Sequence, residues 1–78
     1  MEEPASSLGV NLRFLIPACG MGFREFSRKT NIHYSLLKRY MSGAVSPKPA
    51  KVRVMADLLD VKPGALVYEQ LAPLVVEL

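Results

Sequence analysis

Residues 23–42 read FREFSRKTNIHYSLLKRYMS, and their apolar spacing decides the fold. Phe26 and Thr30 stand four apart, on one side of a helix expected over about 23–29. Leu37 and Tyr40 stand three apart on a second helix, which begins at His33 or Tyr34 and is expected to end at Ser42-Gly43. Between them the chain must turn at Thr30-Asn31-Ile32. After glycine, asparagine best tolerates the left-handed backbone that a sharp turn needs, and Ile32 supplies an apolar plug directly behind it. The opposite side of the second helix carries His33, Tyr34, Ser35, Lys38, Arg39 and Ser42.

Upstream, Leu8, Leu12, Leu15, Ile16 and Cys19 recur at helical spacing, and Ser6 or Ser7 can cap the helix they form. Cys19 falls on the apolar side and is expected to be an inert core thiol. Pro17 removes one backbone hydrogen bond, so the helix is expected to kink or finish early, with Gly20 and Gly22 stopping it. Downstream, Ala44-Val45-Ser46-Pro47-Lys48-Pro49 is a loop, because two prolines so close cannot continue a helix. A fourth helix over about 50–59 buries Val52, Met55, Ala56 and Leu59, and Val61 follows it into the core. Pro63 suits the first turn of a fifth helix, PGALVYEQL, which Pro73 is expected to end. The fold class is all-α: a compact bundle of four to five short helices. Its expected organisation is a disordered arm at 1–6, a folded domain at 7–70 and an apolar tail at 71–78.

Seventy-eight residues make one small domain, and half of them are apolar, enough for a core without metals or disulfides. A single cysteine makes no internal bridge, which fits a reducing compartment. The start, MEEPASSLG, is acidic and lacks the apolar segment of a signal peptide. No run of about eighteen apolar residues exists to span a membrane. The expected location is the cytoplasm.

The net charge of +3 is unevenly spread. Nine basic residues lie between Arg13 and Arg53 against Glu25 alone, while both flanks are net acidic. The positive charge therefore centres on the two-helix segment. Clustered Lys and Arg supply the salt-sensitive part of nucleic-acid affinity through counterion release. From Tyr34 to Ser42 the second helix spans roughly 13 Å at about 1.5 Å per residue, against a DNA major groove about 12 Å wide.

With this helix order in place, the chain resembles the phage repressor and Cro-like helix-turn-helix family, whose fold is lambda repressor-like. The resemblance covers about 8–67. It rests on Phe26, Ile32, Leu37 and Tyr40, on small Ser27 where the two helices touch, on Asn31 in place of the usual turn glycine, on Gly43 and Pro47, and on VMADLLDVKPGAL. Three positions depart from the family pattern. Phe23 stands where a phosphate-binding Gln is common, with Arg24 beside it as the natural substitute. Ile16 and Met41 stand where an Arg–Glu ion pair is common, so a hydrophobic contact is expected between them. Pro17 has no counterpart.

The resemblance implies a sequence-specific double-stranded DNA-binding transcriptional regulator, of phage or bacterial repressor type, with a helix-turn-helix at about 23–42. A recognition helix at about 33–42 enters the major groove N-terminus first. Expected base contacts are Tyr34, Ser35, Lys38 and Arg39, the last able to fork onto guanine O6 and N7. Expected phosphate contacts are Arg24, Arg28, His33, Ser42, Gly43, Lys48 and Lys51. His33 is otherwise a helix cap. Leu36 is an exposed apolar residue that touches a thymine methyl or the preceding helix. The expected partner is an operator of palindromic form bound by a homodimer, with 71–78 and the Leu66-Val67-Tyr68 surface as dimer face, or with the tail leading to a further domain. No catalytic residues, metal, cofactor, small-molecule ligand or membrane partner is expected. The alternative is a protein-interaction module that keeps the fold without reading DNA, using Phe23, Leu36 and Met41.

Overall fold

The computed structural model describes residues 6–72. They form five helices: α1 (Leu8–Ala18), α2 (Phe23–Thr30), α3 (Tyr34–Ser42), α4 (Pro49–Leu59) and α5 (Pro63–Tyr68). No strand occurs among the described residues. None of these helices is long and apolar enough to cross a membrane.

One core serves all five helices. α1 supplies Leu8, Leu12 and Ile16, α2 supplies Phe26, and α3 supplies Leu37 and Tyr40, with Ile32 wedged between α2 and α3. Val52, Met55, Ala56 and Leu59 of α4 and Leu66 of α5 complete it. α1 packs against α2, α3 and α5, while α4 packs against α2 and α5. Leu37 and Phe26 are wholly inaccessible to solvent. Burying each such side chain contributes about 1.5–3 kcal/mol, so the rigidity of α2 and α3 comes from this core and not from their own short hydrogen-bond ladders.

Four of the helices end in the same way. After α1, α2, α3 and α4 the chain passes through a left-handed residue, respectively Gly20, Asn31, Gly43 and Asp60. That residue's N–H reaches back three positions, and the next N–H reaches back five, as in Ile32 to Ser27 at 3.1 Å and Ala44 to Arg39 at 3.0 Å. Both bonds satisfy carbonyls that a helix end leaves orphaned. α4 and α5 begin alike too, with proline at the first position after an extended lysine.

Several expectations need correction. Pro17 is accommodated inside α1, one residue before its end. It sits in the last turn, where the bond it lacks is the one to the Arg13 carbonyl, and the helix runs to Ala18. Cys19 is exposed, because α1 ends at Ala18 and Cys19 is its C-cap, outside the buried stripe of the helix. α5 stops at Tyr68, not at Pro73, and residues 69–72 fold back instead. Leu66 is fully buried and so offers nothing to a surface, whereas Tyr68 is 81% exposed.

What stops α5 is Asn11, a fully buried polar residue on α1. Its amide donates to the Leu66 carbonyl at 2.8 Å and to the Glu69 carbonyl at 2.7 Å. Its oxygen accepts from the N–H groups of Leu71 at 2.9 Å and Ala72 at 3.2 Å. Both N–H bonds and both oxygen lone pairs are thus used, which is the full capacity of the side chain. At the other end, the Ser7 N–H donates to the Val67 carbonyl at 2.8 Å, and the Ser6 hydroxyl caps Leu8 N at 3.1 Å. Ser6, Leu71 and Ala72 therefore belong to the packed body. The remainder of the expected arm and tail, 1–5 and 73–78, lies outside the described residues.

Candidate nucleic-acid interface

The turn between α2 and α3 is fixed from both sides. Asn31 takes φ 58° and ψ 32°, the left-handed conformation. The Ser27 hydroxyl donates to the Ile32 carbonyl across the turn, and the Thr30 hydroxyl donates to the Phe26 carbonyl at 2.8 Å. Both side chains are buried; the Ser27 bond ties α2 to the residue before α3, while the Thr30 bond closes the last turn of α2. Small Ser27 is what lets them approach.

α3 is capped by His33. Its Nδ1 accepts from the Ser35 backbone N–H at 3.3 Å and lies 2.9 Å from the Ser35 hydroxyl oxygen. A ring nitrogen that accepts from the backbone carries no proton, so the hydroxyl donates to it and Nε2 holds the ring proton. Ser35 thereby turns lone pairs, and not its proton, toward solvent.

Leu37 and Tyr40 point into the core, and Ser35, Lys38, Arg39 and Ser42 point out, where they line a shallow depression along α3. Tyr34 is half-buried at the first turn. The Arg24 guanidinium lies 4.3 Å from its ring centre and the Lys38 ammonium 5.6 Å away, both within reach of the ring's negative face. The structure therefore assembles Arg24, Tyr34, Ser35, Lys38, Arg39 and Ser42 into one surface. Arg28 lies four residues beyond Arg24, on the same side of α2.

The other expected phosphate contacts are placed less directly. Lys48 is exposed at the start of α4, and Lys51 is half-buried one turn in. Gly43 is exposed just past α3 with φ 82°. The Ser42 hydroxyl donates to the Arg39 carbonyl at 3.1 Å, which commits its proton within the helix end. His33 serves as the cap and keeps Nε2–H free.

The apolar residues near the turn are less available than their spacing suggests. Phe23, Leu36 and Met41 are half-buried and pack against the core, so Leu36 is not the exposed residue expected. Ile16 is fully buried. What α1 brings to the end of α3 is Gly9, whose backbone meets Met41, and Arg13, whose Nη2 donates to the Met41 carbonyl at 3.1 Å. Neither residue carries a sequence signal for this, since both partners are more than twenty-five positions away.

No family model, curated protein or solved structure matches this chain.

Proposed function

We propose that the protein is a sequence-specific double-stranded DNA-binding transcriptional regulator of the phage or bacterial repressor type, acting through α3 in the major groove. The observation that carries this reading is the outer face of α3. Ser35, Lys38, Arg39 and Ser42 line it, Arg24 is stacked beside it on Tyr34, and no carboxylate lies among them.

Chemistry assigns each of these groups a task. Arg39 presents a planar fork that matches guanine O6 and N7. Lys38 supplies a point charge for a base edge or a phosphate. Ser35, with its proton held by His33, accepts from the exposed amino group of adenine or cytosine. Arg24 and Arg28 on α2, with Lys48 and Lys51 on α4, flank the helix as phosphate contacts that set register. One short helix reads only a few base pairs, so two copies on a palindromic site, one helical turn apart, complete the proposal.

The test is a selection of bound sequences from random duplexes, followed by binding of the winner at several salt concentrations. A palindrome with a steep salt dependence, and a loss of about tenfold or more in Arg39→Ala, are the expected results. Unchanged binding in both Arg39→Ala and Lys38→Ala would remove α3 from the interface.

A further inference from the structure

A second concavity, of about 890 Å³, opens between the start of α1, the end of α3, the loop after it, and α5. Its volume falls within the range of ligand sites. Gly9, Val10, Val45, Pro47, Gly64 and Val67 make much of its wall, and Tyr68 stands at its rim. Val10 and Tyr68 are 53% and 81% exposed, so the apolar surface is uncovered among the described residues. Among the described residues, the only charged groups lining it are Arg13 and Arg53. Neither has a carboxylate within 4 Å among the described residues, where the one ion pair joins Lys29 to Glu25.

We infer that this groove docks an acidic, apolar peptide segment of a partner protein. Its walls release water when an apolar side chain enters, and its two guanidiniums each take a carboxylate through paired N–H bonds. Arg13 gives one donor to the Met41 carbonyl and retains the rest of its fork. A second copy of this chain fits the same face poorly. A twofold contact there brings Arg13 and Arg53 of both copies into one seam, to which the described residues of neither groove bring a carboxylate, and unpaired buried charge is costly. The groove also differs from the outer face of α3: it shares Ser42 but excludes Ser35, Lys38 and Arg39. It therefore stands whether or not α3 reads DNA.

The experiment is a titration of the ¹⁵N-labelled full chain, followed by NMR, with a synthetic peptide alternating Glu with Leu and Val. The same peptide with Lys in place of Glu is the control. The acidic peptide is expected to shift the amide signals of Gly9, Val45, Gly64 and Tyr68 saturably, and the cationic one to leave them in place. Arg53→Gln, a substitution of an exposed side chain, is expected to weaken binding about tenfold, the size of one charge-assisted contact. Equal binding of the two peptides, or of neither, overturns the inference. So does concentration-dependent self-association that perturbs the same signals without peptide, since the groove is then an interface between copies. A loss of duplex affinity in Arg53→Gln as large as in Arg39→Ala also overturns it, by assigning the arginine to DNA.

Discussion

The Arg24 guanidinium stacks on the Tyr34 ring, 4.3 Å from its centre, and so ties the first turn of α2 to the first residue of α3. Lys38 approaches the same ring. One aromatic side chain thus holds together two cations that would otherwise repel each other, and it fixes where both point.

If Tyr34 acts as this platform, its ring matters more than its hydroxyl. Tyr34→Phe is expected to leave duplex affinity unchanged. Tyr34→Leu should lower it about three- to fivefold, the equivalent of one exposed cation–π contact. The salt slope should survive in Tyr34→Leu, because both cations remain, but fall by about one in Arg24→Ala. Anisotropy titrations across a salt series separate these outcomes. A Phe variant as weak as the Leu variant would show that the hydroxyl makes the contact.

The His33–Ser35 pair predicts a split between stability and selectivity. His33→Ala removes the cap of α3 and is expected to cost about 1 kcal/mol in urea unfolding. Ser35→Ala leaves the cap in place. In a random-duplex selection it should relax preference at one base pair, by removing the acceptor that faces the amino group of adenine or cytosine. A variant that loses affinity for all sequences equally would make Ser35 a backbone contact.

Asn11→Leu tests the clasp between α1 and residues 69–72. Two carbonyls and two N–H groups lose their partner, and each such group costs about 1–3 kcal/mol while it stays buried. Fraying of the segment into water limits the total, so a loss of about 2–4 kcal/mol is expected. Hydrogen exchange should show the Leu71 and Ala72 amides unprotected in a bundle that is otherwise folded.

Gly9→Ala tests the close crossing of α1 and α3. A methyl group there would overlap the Met41 carbonyl oxygen and sit 3.1 Å from its carbon. Alanine in a helix interior is ordinarily better than glycine by about 1 kcal/mol. Here the overlap is backbone and cannot rotate away, so the expected sign is reversed, with destabilisation of about 1–3 kcal/mol. A higher melting temperature would contradict the crossing.

Asp60→Gly should act in the opposite sense. Asp60 closes α4 at φ 60°, where a side chain costs about 1 kcal/mol that glycine does not. The variant is expected to gain up to about that amount in denaturant unfolding.

Much of the fold could be read from local chemistry. Phe26, Ile32, Leu37 and Tyr40 face the core because apolar spacing and a left-handed asparagine are decided within a few residues. The outer face of α3 follows, since the residues that do not face inward must face out. Contacts made across the chain left no such mark. Asn11 looks like a polar break in an apolar stripe, because its partners lie 55 to 61 residues away. The end of α5 is hidden for the same reason: Pro73 is a local stop signal, but Asn11 acts first. Spacing gives the angle of Leu36 on α3 but not the width of the core beside it, which half-buries it. The Arg24–Tyr34 stack depends on how two helices cross, which neither helix specifies alone.

The repeated left-handed closures also shape the order of assembly. Each joins residues no more than five apart, so helices and turns can form by fast local closure. The Asn11 clasp and the Ser7–Val67 bond must wait until the whole chain has come round. Contacts that close so late are expected to contribute little to the folding barrier. Weakening them should therefore shorten the lifetime of the native state while leaving the refolding rate almost untouched.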